Sequence, residues 1–124
     1  MTGREGCFVI NFFIIMNTLS SEKCIPCEGG APPLAQEEVE KLLPNAAGWQ
    51  QEDCKKIWRE FEFKNFVKAV DFINRIADVA EYEDHHPDIL LHNYKNVRVE
   101  LMTHAIRGLS RNDFIVAAKI NGIA

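Results

Sequence analysis

Apolar positions along the chain switch between helical and strand spacing, and each switch marks an element. Leu34 to Leu43 reads as a short helix with Leu34, Val39, Leu42 and Leu43 at helical spacing. Glu37 and Glu38 sit early in it, where the helix dipole favours carboxylates, and Pro44 stops it. Gly48 to Gln51 reads as a short strand and Asp53-Cys54-Lys55 as the turn after it. Lys56 to Phe63 alternates, with Ile57, Arg59, Phe61 and Phe63 on one side, so it is a half-buried strand and the two form a hairpin. Asn65 is an N-cap, and behind it Phe66, Ala69, Val70, Ile73, Ala77 and Ala80 recur at helical spacing to about Tyr82. Phe72, Ile76 and Val79 widen that stripe beyond what a small sheet needs, enough to reach a partner subunit.

Period two then returns. Asp88 to Tyr94 is expected as a strand, Lys95-Asn96 as a two-residue turn and Val97 to Thr103 as the return strand, with Ile89, Leu91, Val97, Val99 and Leu101 on one apolar face. Ser110 and Asp113 have capping-box spacing, and the last helix is expected to run to about Asn121 and end at Gly122. The order is α-β-β-α-β-β-α. Hairpins separated by helices predict an α+β domain: a four-stranded antiparallel sheet with helices packed on one face.

Composition narrows the function classes. A chain of 124 residues with 47% apolar and 26% charged positions is one ordinary globular domain. Lys and Arg number 14 against 18 Asp and Glu, a net charge of −4, which disfavours nucleic acid as a partner because such binding runs on phosphate neutralisation. No run reaches the ~18 to 20 apolar residues that span a bilayer, so no membrane partner is expected and the protein is placed in the cytoplasm.

The first residues differ from the rest. Cys7 to Met16 is strongly apolar, yet Arg4 is cancelled by Glu5, Asn11 interrupts the run and no small-residue cleavage site follows. An extension outside the domain fits better than a signal-peptide core, so residues 1–21 are assigned to an extension and 22–124 to the domain. Cys24-Ile-Pro-Cys27 is a CxxC that could be half a zinc site or a redox pair, but no second ligand pair follows, and Gly29-Gly30-Ala31-Pro32-Pro33 behind it is loop material. An ordinary surface loop is the expectation.

The candidate chemistry lies in histidines. His85-His86 sits between the long helix and the third strand, and His104 follows the fourth strand, so pairing of strands three and four brings all three together. Glu81, Glu83, Asp84 and Asp88 flank the pair. Three readings are open: loop histidines favoured by a helix C-terminus, a metal site, or acid–base chemistry without a metal. Adjacent histidines on an extended segment point to opposite sides, which makes one shared ion awkward.

The run Glu81-Tyr82-Glu83-Asp84-His85-His86-Pro87, followed by Tyr94, His104 and Asp113, resembles the pterin-4a-carbinolamine dehydratases. Gly48-Trp49, the segment Phe61 to Phe66, the segment Gly108 to Asp113 and the Cys24–Cys27 stretch are similar to the family as well, so the resemblance runs from Glu22 to Ile123. It implies dehydration of a 4a-hydroxytetrahydropterin to the quinonoid dihydropterin in tetrahydropterin recycling, with no metal and no cofactor. It implies His85 and His104 as the acid–base pair, His86 as a third catalytic-site residue that holds the pterin, Glu81 as a further polar residue of the site and Trp49 at its rim. Asp113 is expected chiefly to cap the last helix, with orientation of a site histidine as its other role. Trp49 has sheet packing as its alternative. The resemblance also implies a homodimer or homotetramer. A non-catalytic, protein-binding dimerisation or assembly factor is the alternative function, disfavoured because such a relative has no need of all three histidines.

Overall fold

The computed structural model describes residues 19–25 and 32–124. The apolar run Cys7–Met16 and Cys27 lie outside the described residues. Helix α1 spans Gln36–Leu42 and continues as a 3-10 turn, Leu43–Asn45, that takes Pro44 near its start rather than ending there. Strands β1 (Gln50–Glu52) and β2 (Lys56–Glu62) form the first hairpin, α2 spans Phe66–Glu83, and β3 (Asp88–His92) and β4 (Asn96–Leu101) form the second. A 3-10 turn, His104–Ile106, leads to α3, Arg111–Ile123. The sheet order is β1-β2-β4-β3, antiparallel throughout. This is the expected α+β architecture with its four-stranded antiparallel sheet.

Element ends differ from expectation for identifiable reasons. The β1 strand begins at Gln50 rather than Gly48, because Gly48 takes φ 86° and a Cβ there would meet the Arg59 guanidinium at 2.8 Å. The second hairpin turns at Asn93 and Tyr94, both left-handed, rather than at Lys95-Asn96, and His92 then pairs with Asn96. The first hairpin does the same at Asp53 and Cys54. An Asx residue that tolerates positive φ opens each turn, as the primed hairpin turns require. The α2 helix runs on to Glu83 and stops where Asp84 enters the left-handed region, the role a glycine usually fills. The α3 helix passes through Gly122, and β4 ends at Leu101, so His104 sits on the following 3-10 turn.

One sheet face carries Ile57, Phe61, Val97, Val99 and Leu101 into the core, and α2 and α3 cover it. The buried stripe of α2 is Ala69, Phe72, Ile76, Ala80 and Glu83, while Phe66 stays 52% exposed. The opposite sheet face is polar: Lys56 pairs with Glu100, Glu100 with Arg98, and Arg98 stacks on Trp58. The segment around residues 19–25, ahead of α1, is also part of the body. Leu19 is fully buried in the core, and Glu22 pairs with Arg111. Among the described residues no helix is long and apolar enough to cross a membrane.

Candidate active site

Three separate pieces of chain converge at one end of the sheet. The C-terminus of α2 delivers Glu81, Glu83, His85 and His86; the end of β4 and its 3-10 turn deliver Thr103 and His104; the N-terminus of α3 delivers Asn112 and Asp113. Between them lies a cleft of about 570 Å³ whose lining includes His85, His86, His104, Met102, Thr103 and Ile25. The three histidines singled out from sequence are thus brought together, although only His85 and His86 are neighbours in the chain.

Asp113 organises the site. Its carboxylate is completely buried. Oδ2 accepts from the Ser110 amide at 2.9 Å and from the Thr103 hydroxyl at 2.8 Å. Thr103 Oγ1 and Ser110 Oγ lie 2.7 Å apart, so the Ser110 hydroxyl donates to a threonine whose own proton is committed to Asp113. Oδ1 is left to face His85 Nε2 at 2.6 Å. An ionised carboxylate only accepts, so opposite an ionised Asp113 the proton of this contact sits on His85 Nε2, which in the neutral ring leaves Nδ1 unprotonated. Capping and orientation are not alternatives for Asp113: one carboxylate does both, with one oxygen for each task.

His86 repeats the arrangement at the surface, its Nε2 lying 2.6 Å from Glu81 Oε2. Glu81 thus stands beside the site through His86 and is itself exposed. His104 is exposed and lines the cleft. Trp49 is not brought there. It is buried, packs edge-on against Phe61 and donates its indole N–H to Asn121 at 2.8 Å, which is the sheet-packing role. His92 pairs with Glu60 on the polar sheet face, away from the cleft.

Cys24 also lines the cleft, but not as a reactive thiolate. Burial, together with the nearby Glu83 carboxylate, pushes its thiol up to about 12. Its Sγ instead donates to the Asn112 carbonyl. Glu83 is buried too, which alone would raise its carboxyl; the bond from the Cys24 amide and the ammonium groups of Lys119 and Lys23 more than offset that and hold it below the ordinary carboxylate range. Among the described residues no three His, Cys, Asp or Glu side chains stand grouped as ligands for a metal ion. Sequence reasoning missed Thr103 and Asn112. A threonine just past the end of a strand carries no signal of its own, and Asn112 is hidden inside the capping segment.

Residues 32–123 match the family model described as pterin 4 alpha carbinolamine dehydratase. A Nitrosomonas europaea protein, named provisionally for the same activity, is 56% identical over 83% of this chain and 90% of its own. The mitochondrial pterin-4-alpha-carbinolamine dehydratase 2 of Arabidopsis thaliana is 43% identical over 88% of this chain and 60% of its own. The crystal structure of a transcriptional coactivator/pterin dehydratase from Brucella melitensis superposes with a TM-score of 0.69 at 38% identity, covering 74% of this chain and 98% of that one. The chain belongs to the pterin 4 alpha carbinolamine dehydratase family, and with it to the dehydratases of the hydro-lyase class.

Proposed function

We propose that the protein dehydrates a 4a-hydroxytetrahydropterin to the quinonoid dihydropterin by histidine acid–base catalysis, serving tetrahydropterin recycling in the cytoplasm. The observation that carries this reading is the convergence of His85, His86 and His104 on one cleft, with His85 fixed by a buried carboxylate. The reaction breaks the C4a–O bond and the N5–H bond and makes the C4a=N5 double bond. The departing hydroxyl takes a proton and leaves as water, a base takes the proton from N5, and no electrons are exchanged with a second reactant. Imidazole titrates near ~6.5 and can therefore give one proton and take the other at neutral pH. His85, through Nδ1, and His104 are the pair that moves these protons. His86, braced by Glu81, holds the flat ring at the exposed side.

Turnover of chemically generated 4a-hydroxytetrahydropterin by exhaustively chelated protein tests the reading. The expected result is dehydration well above the spontaneous rate. Activity lost on chelation and restored by zinc would put a metal in place of the acid–base pair. The Brucella melitensis relative, described as a coactivator as well as a dehydratase, supports a second, protein-binding reading, which turnover by this protein would make unnecessary.

We propose further that the chain assembles into a homodimer or homotetramer. Strand β3 is an edge of the sheet with Leu90 55% exposed, and Phe66 and Val67 stand exposed at the start of α2. Open edges and apolar patches are what closed symmetric pairing covers. Light scattering at micromolar concentration should give a multiple of the chain mass, and the same multiple for a chain starting at Met16; a monomer would overturn the assembly.

A further inference from the structure

The four residues Glu22–Ile25 lie before the stretch matched by the family model, yet Lys23, Cys24 and Ile25 line the cleft beside the histidines. They are held there by an unusual density of specific bonds. Glu22 makes a two-point ion pair with Arg111, at 2.9 and 2.6 Å. Lys23 donates to the Tyr82 carbonyl at the C-terminus of α2 and its ammonium lies 3.9 Å from the centre of the Tyr82 ring. The Cys24 amide donates to buried Glu83 at 2.8 Å. The Asn112 side chain grips Ile25 by both backbone groups, accepting from its amide at 3.1 Å and donating to its carbonyl. Every anchor sits at the end of α2 or the start of α3, the two elements that also position His85 and Asp113.

The consequence appears in Ile25. Its backbone is pinned, yet the residue is 70% exposed where it lines the cleft, so it presents a fixed apolar surface to whatever occupies the cleft beside the histidines. We propose that Glu22–Ile25 is a strap forming one wall of the substrate site, with Ile25 making apolar contact with the bound pterin and Asn112 as the positioning residue that aims it. This rests on the dehydratase reading of the cleft. The strap's titratable side chains are occupied, Glu22 with Arg111, Lys23 with Tyr82 and Glu83, and the Cys24 thiol with the Asn112 carbonyl, so it acts on binding and leaves the chemistry to the histidines.

The test uses the full chain with two readouts: KM and kcat for 4a-hydroxytetrahydropterin, and equilibrium binding of 7,8-dihydrobiopterin by fluorescence. Ile25→Ser should weaken binding and raise KM by about five- to tenfold, the worth of part of a buried isoleucine, with kcat within about twofold. Ile25→Leu should restore both, and Asn112→Ala should reproduce the split. Ile25→Ser is an exposed substitution and decides the matter whatever Asn112→Ala does to folding. Unchanged binding in Ile25→Ser would overturn the strap while leaving the dehydratase reading intact. Wild-type protein that binds the pterin without turning over the carbinolamine would overturn the catalytic reading, and the strap would stand or fall on the binding constants. Wild-type protein that binds no pterin would overturn both.

Discussion

The site contains the same contact twice: an imidazole Nε2 set 2.6 Å from a carboxylate oxygen. At His85 the carboxylate is Asp113, completely buried, with its second oxygen already bonded to Thr103 and Ser110. At His86 it is Glu81, with 77% of its side chain exposed. Identical geometry does not mean equal worth. Water screens the Glu81 pair and competes for both partners, so it contributes little. The Asp113 carboxylate cannot turn away from His85 without abandoning two other donors, and it sits where nothing but protein can satisfy it. The difference supports the proposed division, in which the inner histidine moves protons and the outer one holds the substrate.

Substitutions of the carboxylates probe that contrast most sharply. Asp113→Asn should lower kcat by about 10²-fold or more, because an amide can present its NH₂ to His85 and force the other tautomer. It should also cost roughly 1–3 kcal/mol of stability in denaturant unfolding, through the lost cap and the disturbed Thr103 bond. Thr103→Val, which removes one of the two donors steadying Asp113, should reduce kcat less, by about tenfold, and destabilise by about 1 kcal/mol. Glu81→Gln should change kcat and KM by less than about threefold. If Glu81→Gln proved as damaging as Asp113→Asn, burial would not be what separates the two pairs.

Two further outcomes concern groups beside the site. Glu83 has its carboxyl held below the ordinary value of 4.5 in the folded protein. A carboxyl so depressed adds stability that is fully present above the unfolded value and is lost as pH falls through the folded one. Acid unfolding should therefore steepen below about pH 4.5, and Glu83→Gln should flatten that part of the curve while lowering stability at neutral pH. Trp49→Phe keeps the ring against Phe61 but loses the bond to Asn121, so it should lower Tm by a few degrees, about 1 kcal/mol, and leave KM unchanged. A raised KM would return Trp49 to the substrate.

Periodicity is enough to read the fold, because one-sided strands and a wide apolar helix leave few ways to bury their faces. What it does not place are the turns. Asn93-Tyr94 and Asp53-Cys54 take left-handed backbone without a glycine to announce it, so the spacing alone sets the second hairpin two residues late. At the site, the three histidines are legible from their positions around a hairpin. Trp49 is not, since an aromatic beside a glycine looks the same at a rim and in a core, and only the Asn121 bond separates the two. Asp113 is legible as a cap because the Ser110 spacing is local, whereas its bond to His85 links residues 28 apart. The strap escapes the sequence for the same reason: Glu83 and Asn112 reach it across 59 and 87 residues, and no local pattern records such a bond.

The division of labour between the two histidines is tested most directly by rapid-mixing dehydration of 4a-hydroxytetrahydropterin with His85→Ala and His86→Ala side by side, each at saturating substrate. The expected result is a loss in kcat of about 10²-fold or more for His85→Ala, and for His86→Ala a rise in KM with kcat within about tenfold. Equal kcat in the two variants, or full activity in His85→Ala, would contradict it.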